Sequence, residues 1–213
     1  MRVMSVLLIG LVLFVSAHSV RIVVPRWRDA MIARVGEGPW KGLYAIASLG
    51  GLMLVGRGWT EAGAAPATSL YEPISWAGTL AAIAMPIFLV LLVAGNLPPG
   101  RIRRTVRHPM LVATIGWGVI HLLANGESRA VLLFGALAAW ALADLVSVLA
   151  RDRAPEAAPV ALGPHAAKPS AEGGPPAASA LWPDVAAVIV GLALYAWLIL
   201  HGHAWLFGVA PMG

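Results

Sequence analysis

No cysteine occurs in the 213 residues, so disulfides, thiolate metal sites and a cysteine nucleophile are all excluded. Charge is scarce as well. Asp, Glu, Lys and Arg make up 12% of the chain, about half the ~25% of an ordinary soluble domain. Lysine is nearly missing, since thirteen of the fifteen basic residues are Arg and only Lys41 and Lys168 are Lys. With abundant Ala and Gly, this composition suggests a GC-rich bacterial genome. The usual soluble motifs are absent too. There is no phosphate loop, no dinucleotide fingerprint, no His-Glu-x-x-His and no pair of carboxylates spaced for acid–base work. No internal repeat is evident.

What is present is apolar. The chain is 59% hydrophobic with a mean hydropathy of +0.79. The missing charge leaves long uncharged runs, which is the pattern of a polytopic membrane protein. The net charge of +5 does not point to nucleic acid. The basic residues cluster beside apolar segments, where they fit topology and lipid head groups.

Six apolar segments emerge in order. The first runs from Val3 to about Val24. A signal peptide is the rival reading, because Val15-Ser16-Ala17 offers small residues near a cleavage site. Arg21, Arg26 and Arg28 follow at once and resist export, which favours a retained helix. The second segment spans about Trp40 to Trp59. Its uncharged part, Gly42 to Gly56, is short, so Lys41 and Arg57 are expected to snorkel. Ala47 and Gly51 form a small-xxx-small pair for close helix approach. The third, about Tyr71 to Leu92, carries Pro86, which should kink it. The fourth, about Pro109 to Asn125, begins on a proline suited to the first helical turn. The fifth, about Arg129 to Leu149, should pair tightly with the fourth. It holds Asp144, the only carboxylate well inside a segment. Residues Ala154 to Ala180 contain six Pro and ten Ala without apolar periodicity and read as a flexible linker. His165 in that linker is given no role. The sixth segment runs from about Asp184 to Phe207.

The expected fold is an all-α integral membrane protein, a six-transmembrane-helix bundle. Residues 1–150 form a five-helix membrane core, 151–183 a Pro/Ala-rich cytoplasmic linker, and 184–213 a sixth transmembrane helix with a short tail in the same domain. Twelve of the fifteen Lys and Arg fall in odd-numbered loops, counting Arg21. Positive-inside then puts those loops in the cytoplasm and both termini in the periplasm.

The chemistry-bearing residues centre on Arg101 to Asn125, a basic cluster followed by an uncharged helix with a histidine near each end. His108 and His121 lie thirteen residues and so about 20 Å apart along a helix. Arg107-His108-Pro109, with Arg101, Arg103 and Arg104, reads either as an anion or cofactor-carboxylate site or as topology plus a helix start. His121 shares a face with Trp117 and Asn125. It reads either as a metal or haem ligand, its second nitrogen fixed by Asn125, or as an interhelical hydrogen bond. His18 reads as a ligand or as an interfacial histidine. Asp144 reads as a histidine-orienting group or as a salt-bridge partner of Arg104 or Arg107. His201 and His203, ~200° apart on an ideal helix, cannot share a face.

Several stretches together resemble the NnrU family of bacterial membrane proteins. They are His18-Ser19-Val20-Arg21, Gly36-Glu37-Gly38-Pro39-Trp40-Lys41-Gly42-Leu43-Tyr44, Arg107-His108-Pro109-Met110-Leu111, His121-Leu122-Leu123-Ala124-Asn125-Gly126 and Leu206-Phe207-Gly208-Val209. That family is associated with nitrite and nitric oxide reduction and is similar to plant 15-cis-zeta-carotene isomerases, membrane enzymes that use haem b. The resemblance implies haem b with His18 and His121 as iron ligands and His108 close by. Its carboxylates would seek the cluster that includes Arg104 and Arg107, and Asn125 would support the site. It also implies an inner-membrane location and a polyene-isomerase-like or nitrite/nitric-oxide role, with an apolar polyene as substrate. The alternative is a non-catalytic factor supporting assembly of a denitrification complex, with denitrification proteins as partners. One departure is that Gly118 stands where some isomerases carry a cysteine. By the expected topology His18 lies near the cytoplasmic face and His121 nearer the outer face. A weaker similarity, to isoprenylcysteine-type methyltransferases through Arg-His-Pro, fails downstream at Arg151-Asp152-Arg153-Ala154-Pro155-Glu156.

Overall fold

The computed structural model describes residues 4–66, 68–153 and 181–209. Residues 154–180, and with them the linker reading and His165, lie outside the described residues. Among the described residues the structure is helical, apart from one isolated bridge between Ser69 and Glu127.

Nine α-helices form among the described residues: α1 Ser5–Val23, α2 Pro25–Val35, α3 Glu37–Gly63, α4 Ala77–Asn96, α5 Arg101–Val106, α6 Pro109–Ala124, α7 Ser128–Arg153, α8 Trp182–Trp197 and α9 His203–Phe207. A π-helical turn, Leu198–Gly202, joins α8 to α9. Among the described residues four stretches are long and apolar enough to cross a membrane: α1, α4, α7 and Trp182–Phe207. Helix α6 is apolar but shorter. Each of the six expected segments corresponds to a helix. The third starts later than expected, because Glu72 to Trp76 leave the helix and only Ala77 opens α4. The expected loop one contains α2, and the basic loop three contains α5.

The packing order in space is α3, α1, α7, α6, α4, α8. Helices α1 and α3 run antiparallel with backbones in near contact. A Cβ on Gly58 would lie 2.2 Å from the Leu7 nitrogen, one on Gly10 2.6 Å from the Val55 nitrogen, and one on Gly51 2.8 Å from the Phe14 nitrogen. Only glycine fits at these three places. The expected small residue Gly51 is in this seam, and its companion is Gly58, two turns on. The core of α1, α3 and α7 comprises Leu7, Leu11, Val55, Ala130, Leu133 and Phe134. Many large apolar side chains point outward instead, among them Ile46, Met53, Ile83 and Leu200. That inverted distribution suits a lipid surround.

Pro86 sits inside α4. Lacking an N–H, it leaves the carbonyl of Ala82 without its helical donor. The Tyr195 hydroxyl of α8 fills the gap, donating to that oxygen at 2.8 Å.

Two sets of polar contacts gather the connections at opposite ends. At one end, Asp184 at the start of α8 accepts the backbone N–H groups of Arg101 and Ile102, at 2.8 and 3.0 Å, and so caps α5. There too His108 meets Asp152 in the last turn of α7. At the other end, Leu70 donates to the Gly126 carbonyl and Ser128 to that of Thr68. The Tyr71 hydroxyl donates to the carbonyls of Leu122 and Asn125.

Candidate functional site

The basic end of the bundle holds a cavity of about 610 Å³, within the ~300–1,000 Å³ typical of cofactor sites. His18 reaches it from α1, Tyr44 from α3, Trp140 and Asp144 from α7, and Arg107 and His108 from the junction of α5 and α6. Helix α2 contributes Arg28 and Ile32. Hydropathy places that segment in a loop, yet Pro25 at its first position and Gly36 just past its end are ordinary helix boundaries.

His18 is placed by its own helix. Its Nδ1 donates to the Phe14 carbonyl at 2.8 Å. A carbonyl only accepts, so Nδ1 carries the hydrogen, which in the neutral ring leaves the lone pair on Nε2. The ring stacks on Phe14 at 4.1 Å and meets Tyr44 and Trp140 at 5.1 and 5.4 Å. The Trp140 indole N–H beside it is buried without an acceptor. Arg21 and Arg107 also line the cavity, and neither guanidinium has a partner among the described residues. Among the described residues Arg107 is the one non-glycine with positive φ, at 60°. It lies between α5 and α6 just before His108, whose freedom Pro109 restricts. Backbone strain at such a place points to a functional demand. Of the other charges, Glu37 pairs with Lys41 at 2.8 Å. That hydrogen bond, with the ammonium charge, holds the Glu37 carboxyl below its usual range.

His121 does not share this cavity. It lines a smaller one, about 90 Å³, with Met85, Tyr195 and His203. Its Nδ1 donates to the Trp117 carbonyl at 2.8 Å, and its ring lies 4.4 Å from Phe134. His18 leans on Trp140 and His121 on Phe134. Six residues of α7 separate those contacts, which is about 9 Å.

The remaining expected site residues fall as follows. His108 faces the large cavity, with Nε2 3.2 Å from Asp152. Arg104 turns back onto the carbonyls of Gly100 and Pro99 and does not line the cavity. Asn125 donates to the backbone carbonyl of His121 rather than to its ring, and Trp117 fixes the tautomer instead. Asp144 stands 3.9 Å from Arg151 of its own helix, not beside Arg104 or Arg107. His201 is exposed. At Gly118 a Cβ would come within 2.8 Å of the Ala138 Cβ and 3.0 Å of the Phe134 oxygen, so α7 fills any side-chain space there.

The family model described as NnrU protein matches residues 6–211. The chain belongs to that family. No curated protein and no solved structure matches it.

Proposed function

We propose that this member of the NnrU family is a six-span inner-membrane haem-b protein, with both termini periplasmic and the cofactor in the 610 Å³ cavity. The observation that carries the reading is the company His18 keeps. The Nε2 of a neutral imidazole opens on a cavity that, among the described residues, also holds two unpartnered guanidiniums and an unpartnered indole N–H. Imidazole suits haem iron, and guanidinium suits carboxylates. In this reading His18 ligates the iron while Arg21 and Arg107 receive the two carboxylates. Trp140 and Tyr44 shield the imidazole from water and hold its plane.

His108 is the other imidazole lining the large cavity and would complete the pair. His18 and His121 line different cavities, which favours leaving His121 out of it. Bound haem would supply one-electron chemistry or an iron face for a small or apolar substrate. A ligand switch through a thiolate is excluded, because Gly118 is the only residue at the relevant place and the chain has no cysteine.

The test is an optical spectrum of the purified full chain, oxidised and reduced, with haem supplied during expression. We expect a Soret band with split reduced bands, lost in His18→Ala and retained in His121→Ala. Equal loss in both variants would restore the His18–His121 pair. A featureless spectrum from folded protein would remove the haem reading and leave the assembly role ahead.

A further inference from the structure

We infer that the smaller cavity is a binding site for a soft monovalent cation of the copper(I) type, held by His121, His203 and Met85. His121 has Nδ1 engaged by the Trp117 carbonyl at 2.8 Å. His203 has Nδ1 engaged by the Val209 carbonyl at 2.7 Å. In the neutral form both rings are therefore the Nδ1–H tautomer, with a lone pair on each Nε2. Tyr195, on the same wall, donates its hydroxyl hydrogen to Ala82 at 2.8 Å. That leaves only acceptor capacity on its oxygen. Met85 adds a thioether, an acceptor and soft ligand. The other lining residues are Gly78, Ala81, Ala82, Leu89, Leu198 and Ile199, none of which brings a side-chain donor.

A cavity furnished only with acceptors needs a donor or a cation between them. Its size limits the choice. About 90 Å³ holds roughly three waters at ~30 Å³ each, so a bare ion fits and a macrocycle does not. Donor chemistry narrows it further. Among the described residues no carboxylate lines the cavity, which disfavours calcium and magnesium. Two imidazoles and a thioether suit copper(I).

The local structure is built to bring these groups together. Pro86 creates the free carbonyl that anchors Tyr195. The π-helical turn rotates the chain so that His203, not His201, faces inward. Gly202 is needed there, since a Cβ would lie 2.4 Å from the Trp197 ring. Gly208 then adopts φ +74° and returns the Val209 carbonyl to His203.

The experiment adds copper(I), kept reduced with ascorbate, to the purified full chain in detergent, in competition with a colorimetric copper(I) chelator. One equivalent should be retained by the unaltered chain and by His201→Ala. It should be lost in His203→Ala, His203→Gln and His121→Ala, and weakened in Met85→Leu. X-ray absorption on the loaded protein should show nitrogen and sulfur neighbours. Haem is measured in the same samples, and His203→Ala should keep it, so this site and the haem reading fail separately. Thermal transitions identify any variant that has simply unfolded; His203→Gln and Met85→Leu, which keep side-chain bulk, stand in for it. Retention of copper by all the variants, no retention by the unaltered chain, or preference for zinc(II) over copper(I) would each overturn the proposal. The first means an adventitious ion, the second a cavity bridged by water alone.

Discussion

At the scale of single residues, hydrogen bonds to backbone carbonyls set the chemistry. His18 and His121 make the same contact, Nδ1 to the carbonyl four residues earlier. Helix geometry supplies that arrangement wherever a histidine turns back along its own helix, so it was legible in principle from spacing alone. Which cavity each Nε2 then reaches was not legible, because that depends on neighbours from α3, α7 and α8. Tyr195 illustrates the same limit. Pro86 announces a free carbonyl at Ala82 in the sequence, but the donor lies 113 residues away. Replacing Tyr195 with Phe removes the donor and leaves that oxygen unsatisfied. A fully buried acceptor in that state costs about 1–3 kcal/mol, and the half-buried Ala82 carbonyl should cost toward the lower end. We expect Tyr195→Phe to lower the thermal midpoint in detergent without changing haem content. An unchanged midpoint would show that the Ala82 carbonyl finds another partner.

At the scale of elements, the apolar segments were readable because each has a long run without charge. The short interfacial helices were not. Helix α2 buries no residue, so hydropathy sees only its arginines, and its boundary signals had to be read instead. Helix α5 is six residues long and is capped by Asp184 from α8, a contact no local pattern encodes. The α1–α3 seam was half legible. A search for small residues four apart finds Gly51, yet the pairs that touch are Leu7 with Gly58, Gly10 with Val55 and Phe14 with Gly51. In each pair the two numbers add to 65, the signature of one antiparallel register. Glycines of α3 outside the seam should respond in the opposite sense. Gly58→Ala drives a methyl to within 2.2 Å of backbone and should destabilise by about 1–3 kcal/mol. Gly42→Ala meets nothing within 4 Å, and the gain in helix propensity should stabilise by up to about 1 kcal/mol. Thermal unfolding of the two variants should move to opposite sides of the parent. A shift of the same sign in both would show that α1 and α3 are not packed backbone to backbone.

At the scale of the whole molecule, the issue is how many helices cross the bilayer. Four stretches qualify by length and composition; α3 and α6 are the two in question. Helix α3 has 27 residues and is about 40 Å long, more than a ~30 Å hydrocarbon core. Its charges at Lys41 and Arg57 pair with Glu37 and Glu61 one turn away, so the span between them is capped by neutralised ends that can reach the interface. Helix α6 has 16 residues, about 24 Å. It sits between α4 and α7, and a shortfall of that size is accommodated at a fraction of a kcal/mol per Å. The gathering of α5 with the end of α7 and the start of α8 at one end, and of residues 68–71 with 122–128 at the other, requires both helices to run the full length of the bundle. A protein without cysteine makes the test clean. Ala30 in α2 and Glu72 before α4 are both exposed, and α3 alone lies between them. With six spans and the basic end in the cytoplasm, a membrane-impermeant maleimide should label Glu72→Cys from the periplasm. Ala30→Cys should react only after the inner membrane is opened. Labelling of both from one side would mean that α3 does not cross, and the reverse pattern would invert the orientation while keeping the span.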